Sequence, residues 1–144
     1  PRVFCNSSRI GNLRPHRDAV KYVKKLWEEH GMTIDVVTSL SLDPESQKLR
    51  ERNLRTVFGQ AIDRIICLDT GEDKDEALAE WKDSGNWWIE DKPENAQAGL
   101  DAGLNPILID AEYNQEFSIM DNPGIARLDN WKQIYEFVTH REFS

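Results

Sequence analysis

The chain has 144 residues, 39% of them hydrophobic and 31% charged, with a formal net charge of −8. That length suits one domain around one core, and that composition excludes a disordered chain. The surplus of acid works against broad binding of a phosphate backbone, while leaving room for one small anion in a local positive pocket.

In chain order, RVFC at residues 2–5 reads as a short strand and SSRIGNLRP after it as a loop. From Arg17 to His30, the residues Ala19, Val20, Val23, Leu26 and Trp27 recur at helical spacing, and Gly31 supplies the stop. TIDVVT at 33–38 is a predicted strand. Asp43 as N-cap and Pro44 at the first helical position open a helix to about Phe58, ended by Gly59. DRIICL at 63–68 is a strand, Lys74 to Trp81 a short helix, and NWWI at 86–89 another strand. Pro93 opens a helix to Ala102 that Gly103 closes, and PILID at 106–110 is the next strand. A loop passes through Asn122-Pro123-Gly124. Asp129 or Asn130 then caps a last helix over 131–140, with Trp131, Ile134, Tyr135 and Val138 on one face.

Strands alternate with helices, and the strands are short apolar runs rather than alternating ones, as expected when both faces are covered. The expectation is an α/β fold, a doubly wound, Rossmann-like parallel sheet in a single domain over 1–144. No internal repeat, linker or low-complexity segment interrupts it. The two cysteines, Cys5 and Cys67, sit in apolar runs and read as buried free thiols, which suits a reducing, cytoplasmic setting. No signal peptide is visible, and no apolar run approaches the ~20 residues of a membrane span.

In such folds ligands bind at the carboxyl ends of the strands. Those ends carry Asn6-Ser7-Ser8, then Thr38 and Ser39, then Asp69 and Thr70 with Lys74 at the next helix start, then Glu90 and Asp91, then Asp110. A phosphoryl group needs hydroxyls, backbone N–H groups and a cation around its oxygens. Thr38, Ser39 and Lys74 are residues of that kind. Glu90 and Asp91 are adjacent carboxylates of the kind that suits Mg²⁺. Each feature also has a structural use. Asp91 or Glu94 would favour the dipole of the helix starting near Pro93, Thr38 and Ser39 would serve as a turn, and Lys74 lies among acids as a solvated lysine would. His16, His30 and His140 show no metal-ligand spacing, and the tryptophans read as core.

Taken in order, IDVVTS, Lys74 and WWIEDKPENAQAGLDAGLNPILID resemble the second, third and fourth motifs of the haloacid dehalogenase-like (HAD) superfamily of phosphohydrolases. LRPHRDAVKYVKKL is similar to the segment before the second motif in the 5′-nucleotidase-like branch. The resemblance spans roughly residues 13–110 and implies a HAD-like core. It implies that Thr38, with Ser39, binds the substrate phosphate, that Lys74 stabilises phosphate and nucleophile, and that Glu90 and Asp91 hold Mg²⁺. The implied substrate is a small phosphorylated molecule, with nucleotides among the candidates.

The first motif departs from the pattern. Where the family has a strand ending in Asp-x-Asp, this chain has RVFC followed by Asn6-Ser7-Ser8. Asn6 stands in the place of the nucleophile and Ser8 in that of the acid/base. An amide is a very poor nucleophile, and a serine hydroxyl is far too weak an acid for the second role. The phosphohydrolase reading therefore carries an expectation of inactivity as written. Three accounts stand open: a fragment whose first motif lies upstream, an engineered inactive form, and a non-catalytic HAD-like binding module. No large cap domain is inserted in the sequence, so an open crevice is expected, suited to a large substrate or to cover by a protein partner or a second subunit. A receiver-type phosphoacceptor would share the sheet, but no acid pair follows the first strand and WIEDKPEN does not suit it.

Overall fold

The structure is a computed structural model that describes residues 3–6, 17–39, 43–68, 78–110 and 114–143. Its framework is one six-stranded sheet. The strands are β1 (Val3–Asn6), β2 (Ile34–Ser39), β3 (Ile62–Leu68), β4 (Trp87–Glu90), β5 (Asn105–Ile109) and β6 (Ala126–Leu128). The helices are α1 (Arg17–His30), α2 (Pro44–Phe58), α3 (Pro93–Asp101) and α4 (Trp131–Phe143). The strand order is β3-β2-β1-β4-β5-β6, and every neighbouring pair is parallel. The expected doubly wound α/β sheet is therefore present.

Local chemistry explains the elements. Asp43 caps α2, its Oδ2 accepting from the Ser46 N–H at 3.3 Å and from the Ser46 hydroxyl at 2.9 Å. Asn130, not Asp129, caps α4 by accepting the Gln133 N–H at 2.9 Å. The end of α3 is closed by paired bonds, Gly103 N–H to Leu100 O and Leu104 N–H to Gly99 O. That closure needs a left-handed residue, and Gly103 sits at φ +83°. β6 was not among the predicted strands. Its three residues are too short a run for periodicity to mark, and its pairing with β5 is what makes it a strand. Of the helix predicted from Lys74 to Trp81, residues 78–79 are helical and a turn follows; its earlier part lies outside the described residues.

Alternation along the strands sorts the core into two layers. Val3, Ile34, Val36, Trp87, Ile89, Ile107 and Ile109 face α1, α2 and α4, with Leu26, Phe58 and Trp131 filling the layer. Val37, Trp88 and Leu108 face the other way, toward Leu78, Leu104, Ala96 and Ile125. Burying large apolar side chains on both faces is what drives this architecture.

A carboxylate is buried on β2 as well. Asp35 is 1% exposed, and its Oδ1 accepts the Arg64 N–H at 3.1 Å. The β2–β3 register slips between Ile34 and Val36, so β3 carries an extra residue there. The carboxylate meets a backbone N–H at that irregularity. Cys5 lies on β1 and Cys67 on β3, with β2 between them. Two strand spacings put their Cα atoms at least roughly 9 Å apart, beyond the reach of a disulfide. Among the described residues no helix is long and apolar enough to cross a membrane.

Candidate functional site

The strand order reverses between β1 and β4. The chain leaves β1 for β2 on one side, and β4 takes up the other side of β1 and continues to β5. α1 and α2 cover one face and α3 the other. In doubly wound sheets, the crevice that takes ligands lies outside the carboxyl ends of the strands at such a reversal.

The register places the backbones of Asn6, Thr38, Ser39 and Glu90 at that edge of the sheet. Asn6, the last residue of β1, is level with Val37 of β2, which puts Thr38 one residue above it on the adjacent strand. Ser39 is the last residue of β2 and is level with Leu68 of β3. Cys5 is level with Ile89, so Asn6 and Glu90 end the two central strands side by side. Neighbouring strands lie about 4.8 Å apart. The side chains of Asn6, Thr38 and Ser39 lie outside the described residues, as do Ser8 and Lys74 entirely.

The acid pair is fully described. Glu90 is 0% exposed and Asp91 1%. Glu90 shares the Trp88 face of β4, the side on which α3 begins. Its Oε1 accepts the Asp91 N–H at 2.9 Å and the Lys92 N–H at 3.3 Å. A buried carboxylate needs such donors, because desolvation of an ion is expensive. The residue at the N-cap of α3 is Lys92, which makes no side-chain cap. Asp91 is thus not the N-cap; Glu94 is the acid in the first turn of α3, and Glu90 is folded back on the turn that precedes it.

Beside the pair lies a network that sequence reasoning did not find. Asn114 is 2% exposed, and its amide nitrogen donates to Asp91 O at 2.8 Å and to Ile109 O at 2.9 Å. Asn114 O accepts from Arg127 Nη1 at 3.0 Å, and Arg127 Nη2 donates to Asp110 Oδ1 at 2.6 Å. Gln115 Nε2 donates to the same Asp110 oxygen at 2.8 Å. Asn114 belongs to none of the strands or α-helices and Arg127 to a three-residue strand, so neither stands in a pattern that sequence alone would single out.

Two grooves lie elsewhere and lack the chemistry of the acid pair. One of about 560 Å³ is lined by Trp87, Asn105, Ile119, Arg127 and Phe137. Another of about 690 Å³ is lined by Trp27, Thr33, Arg55 and Gln60. Trp87 and Asn105 begin their strands and Thr33 precedes β2, so both grooves open at the amino-terminal edge of the sheet. The convergence of buried charge is at the opposite edge, and we place the candidate site there. Among the described residues no three His, Cys, Asp or Glu side chains gather as a metal cluster. Two buried adjacent carboxylates nevertheless fit Mg²⁺, which takes one or two protein carboxylates and completes its shell with water and substrate oxygens.

No protein-family model matches the chain, and the search among curated proteins returns no match. Solved structures do match. A D,D-heptose 1,7-bisphosphate phosphatase from Burkholderia thailandensis superposes with a TM-score of 0.70 at 15% identity, covering 95% of this chain and 97% of that one. A HAD-superfamily hydrolase from Ehrlichia chaffeensis superposes with a TM-score of 0.59 at 19% identity, covering 94% of this chain and 62% of that one. An uncharacterised protein from Corynebacterium glutamicum gives a TM-score of 0.52 at 12% identity, covering 85% and 91%. At these identities the likeness is one of fold, shared with one protein described as a phosphatase and another as a HAD-superfamily hydrolase.

Proposed function

We propose that the crevice between β1 and β4 is a phosphate-ester site of the HAD type, built for a small phosphorylated substrate, with nucleotides of the 5′-nucleotidase branch the first class to test. The observation that carries this reading is the buried Glu90–Asp91 pair at the carboxyl end of β4, beside the end of β1, where the strand order reverses. The heptose bisphosphate phosphatase, similar in fold over nearly all of both chains, supports the reaction class.

Glu90 and Asp91 would hold Mg²⁺, Glu90 with one oxygen already committed to the turn. When bound, the ion supplies positive charge opposite the phosphate oxygens. The Thr38 and Ser39 hydroxyls bind the phosphate, and Lys74 offsets its negative charge. Asn6 occupies the place of the attacking group and Ser8 that of the acid/base. The Asn6 amide attacks phosphorus very poorly, so the chain binds its phosphate ester and does not turn it over. This position of Asn6 at the end of the central strand favours the binding-module account as the second reading.

The test is turnover with Mg²⁺ on this chain and on the Asn6→Asp, Ser8→Asp double variant, against nucleoside monophosphates and an aryl phosphate. Silence in the first and activity in the second are expected. Calorimetry should also show Mg²⁺ binding that Asp91→Asn weakens by about tenfold or more, with the fold unchanged. A folded double variant without turnover, together with no Mg²⁺ binding by the parent chain, would overturn the phosphatase reading.

A further inference from the structure

We propose that Asn114 is a positioning residue for the acid pair, acting through the peptide between Asp91 and Lys92, and that Arg127 holds it in place. The inference rests on the reading of Glu90 and Asp91 as a metal-holding pair. The peptide in question is held at both ends. Its carbonyl, Asp91 O, accepts from Asn114 Nδ2 at 2.8 Å. Its N–H, on Lys92, donates to Glu90 Oε1 at 3.3 Å. The plane that Asn114 fixes is therefore one on which the Glu90 carboxylate rests, and it also sets the backbone angle of Asp91.

The side chain at 114 suits that task. β4 and β5 pair up to Glu90 and Leu108, and above that level the strand carbonyls need other donors. The amide nitrogen of Asn114 carries two hydrogens, and it bonds both Asp91 O and Ile109 O. An ionised aspartate there would turn lone pairs toward two carbonyls. Asn114 is itself steadied by Arg127 Nη1 on its carbonyl, while Arg127 Nη2 binds Asp110 Oδ1. Arg127 thus ties β6 to residues just beyond β5, and Asn114 passes that constraint to the end of β4. Groups that orient ligating carboxylates change metal affinity without touching the ion, and losing one typically weakens affinity about 10- to 100-fold.

Two readouts test this on the full chain, at a temperature where each variant is folded by circular dichroism. The first needs no metal: hydrogen exchange of the Lys92 amide, followed by NMR, should accelerate at least about tenfold in Asn114→Ala relative to neighbouring α3 amides. The second is Mg²⁺ affinity by calorimetry, expected to fall about tenfold in Asn114→Ala and to a smaller extent in Arg127→Gln. Tyr135→Phe, remote from the pair, serves as the control and should leave both unchanged. Should Asn114→Ala not fold, Arg127→Gln and Arg127→Lys carry both readouts. Unchanged Lys92 exchange would overturn the positioning role whatever the metal does. Mg²⁺ binding by the parent chain that the variants retain in full would overturn it while leaving the site intact. A parent chain that binds no Mg²⁺ would remove the metal-holding pair, and the inference with it.

Discussion

Gly99 illustrates how much a single atom decides here. A Cβ at this position would lie 2.4 Å from Cδ1 of Trp88 and 3.1 Å from its Cγ. Trp88 is 0% exposed, and its indole N–H is bound to Asn95 O at 3.0 Å, so the ring cannot retreat without losing that bond. Gly99→Ala gains about 1 kcal/mol of helix propensity and loses about 1–3 kcal/mol to overpacking. The net expectation is a loss of up to about 2 kcal/mol, read as a lower urea midpoint; a variant as stable as the parent would show that α3 can shift away from the sheet. At this same scale the sequence was only partly legible. Glu90 and Asp91 stood out as adjacent acids after an apolar strand. That Glu90 turns onto the next two N–H groups is a local contact that composition does not mark, and that Asn114 grips the Asp91 carbonyl depends on a contact 23 residues apart. No local pattern encodes such a contact.

Between elements, the packing of α1 on α4 carries a titratable pair. The Tyr135 hydroxyl donates to Glu29, and Tyr135 lies against the Tyr22 ring at 5.6 Å and is also bonded to His30. The bond to Glu29, then burial, then the negative charge of Glu29 push the Tyr135 phenol up to about 12. In the unfolded chain it titrates near pH 10. The folded state holds the proton more tightly, so this stabilisation is whole below about pH 10 and is lost as pH rises through about 12. Urea midpoints compared at pH 9 and pH 11.5 should fall more steeply for the parent chain than for Tyr135→Phe. Equal slopes would mean that the phenol does not feel Glu29 in solution. The helices themselves were the most legible elements. α1 spans Arg17–His30 as its apolar spacing predicts, and α2 and α3 begin at their prolines. Strand ends shifted by a residue, because pairing and not composition sets where a strand stops. β6 was invisible for the same reason.

For the whole molecule, one sheet is shared by two apolar layers. Trp87 and Trp131 belong to one layer and Trp88 to the other, and adjacent residues of β4 link them. Neither layer can be removed without exposing the same strands. Unfolding in urea should therefore be one transition, coincident by tryptophan fluorescence and far-ultraviolet circular dichroism. Two separated transitions would mean that the helices of one face leave first. The doubly wound sheet was readable from the alternation of short apolar runs with amphipathic helices. The strand order was not, because nothing in a run such as RVFC says that it will lie in the middle.

That middle position has a mechanical consequence. Within the sheet, β1 joins a block of β2 and β3 on one side to a block of β4, β5 and β6 on the other, pairing with β2 over four residues and with β4 over three. The acid pair stands at the carboxyl end of the β1–β4 pairing. A ligand gripping the ends of both central strands would act as a rivet across the seam of the sheet. Its affinity would then appear as resistance to unfolding, so that occupancy could be followed by melting the protein long before any product is known to look for.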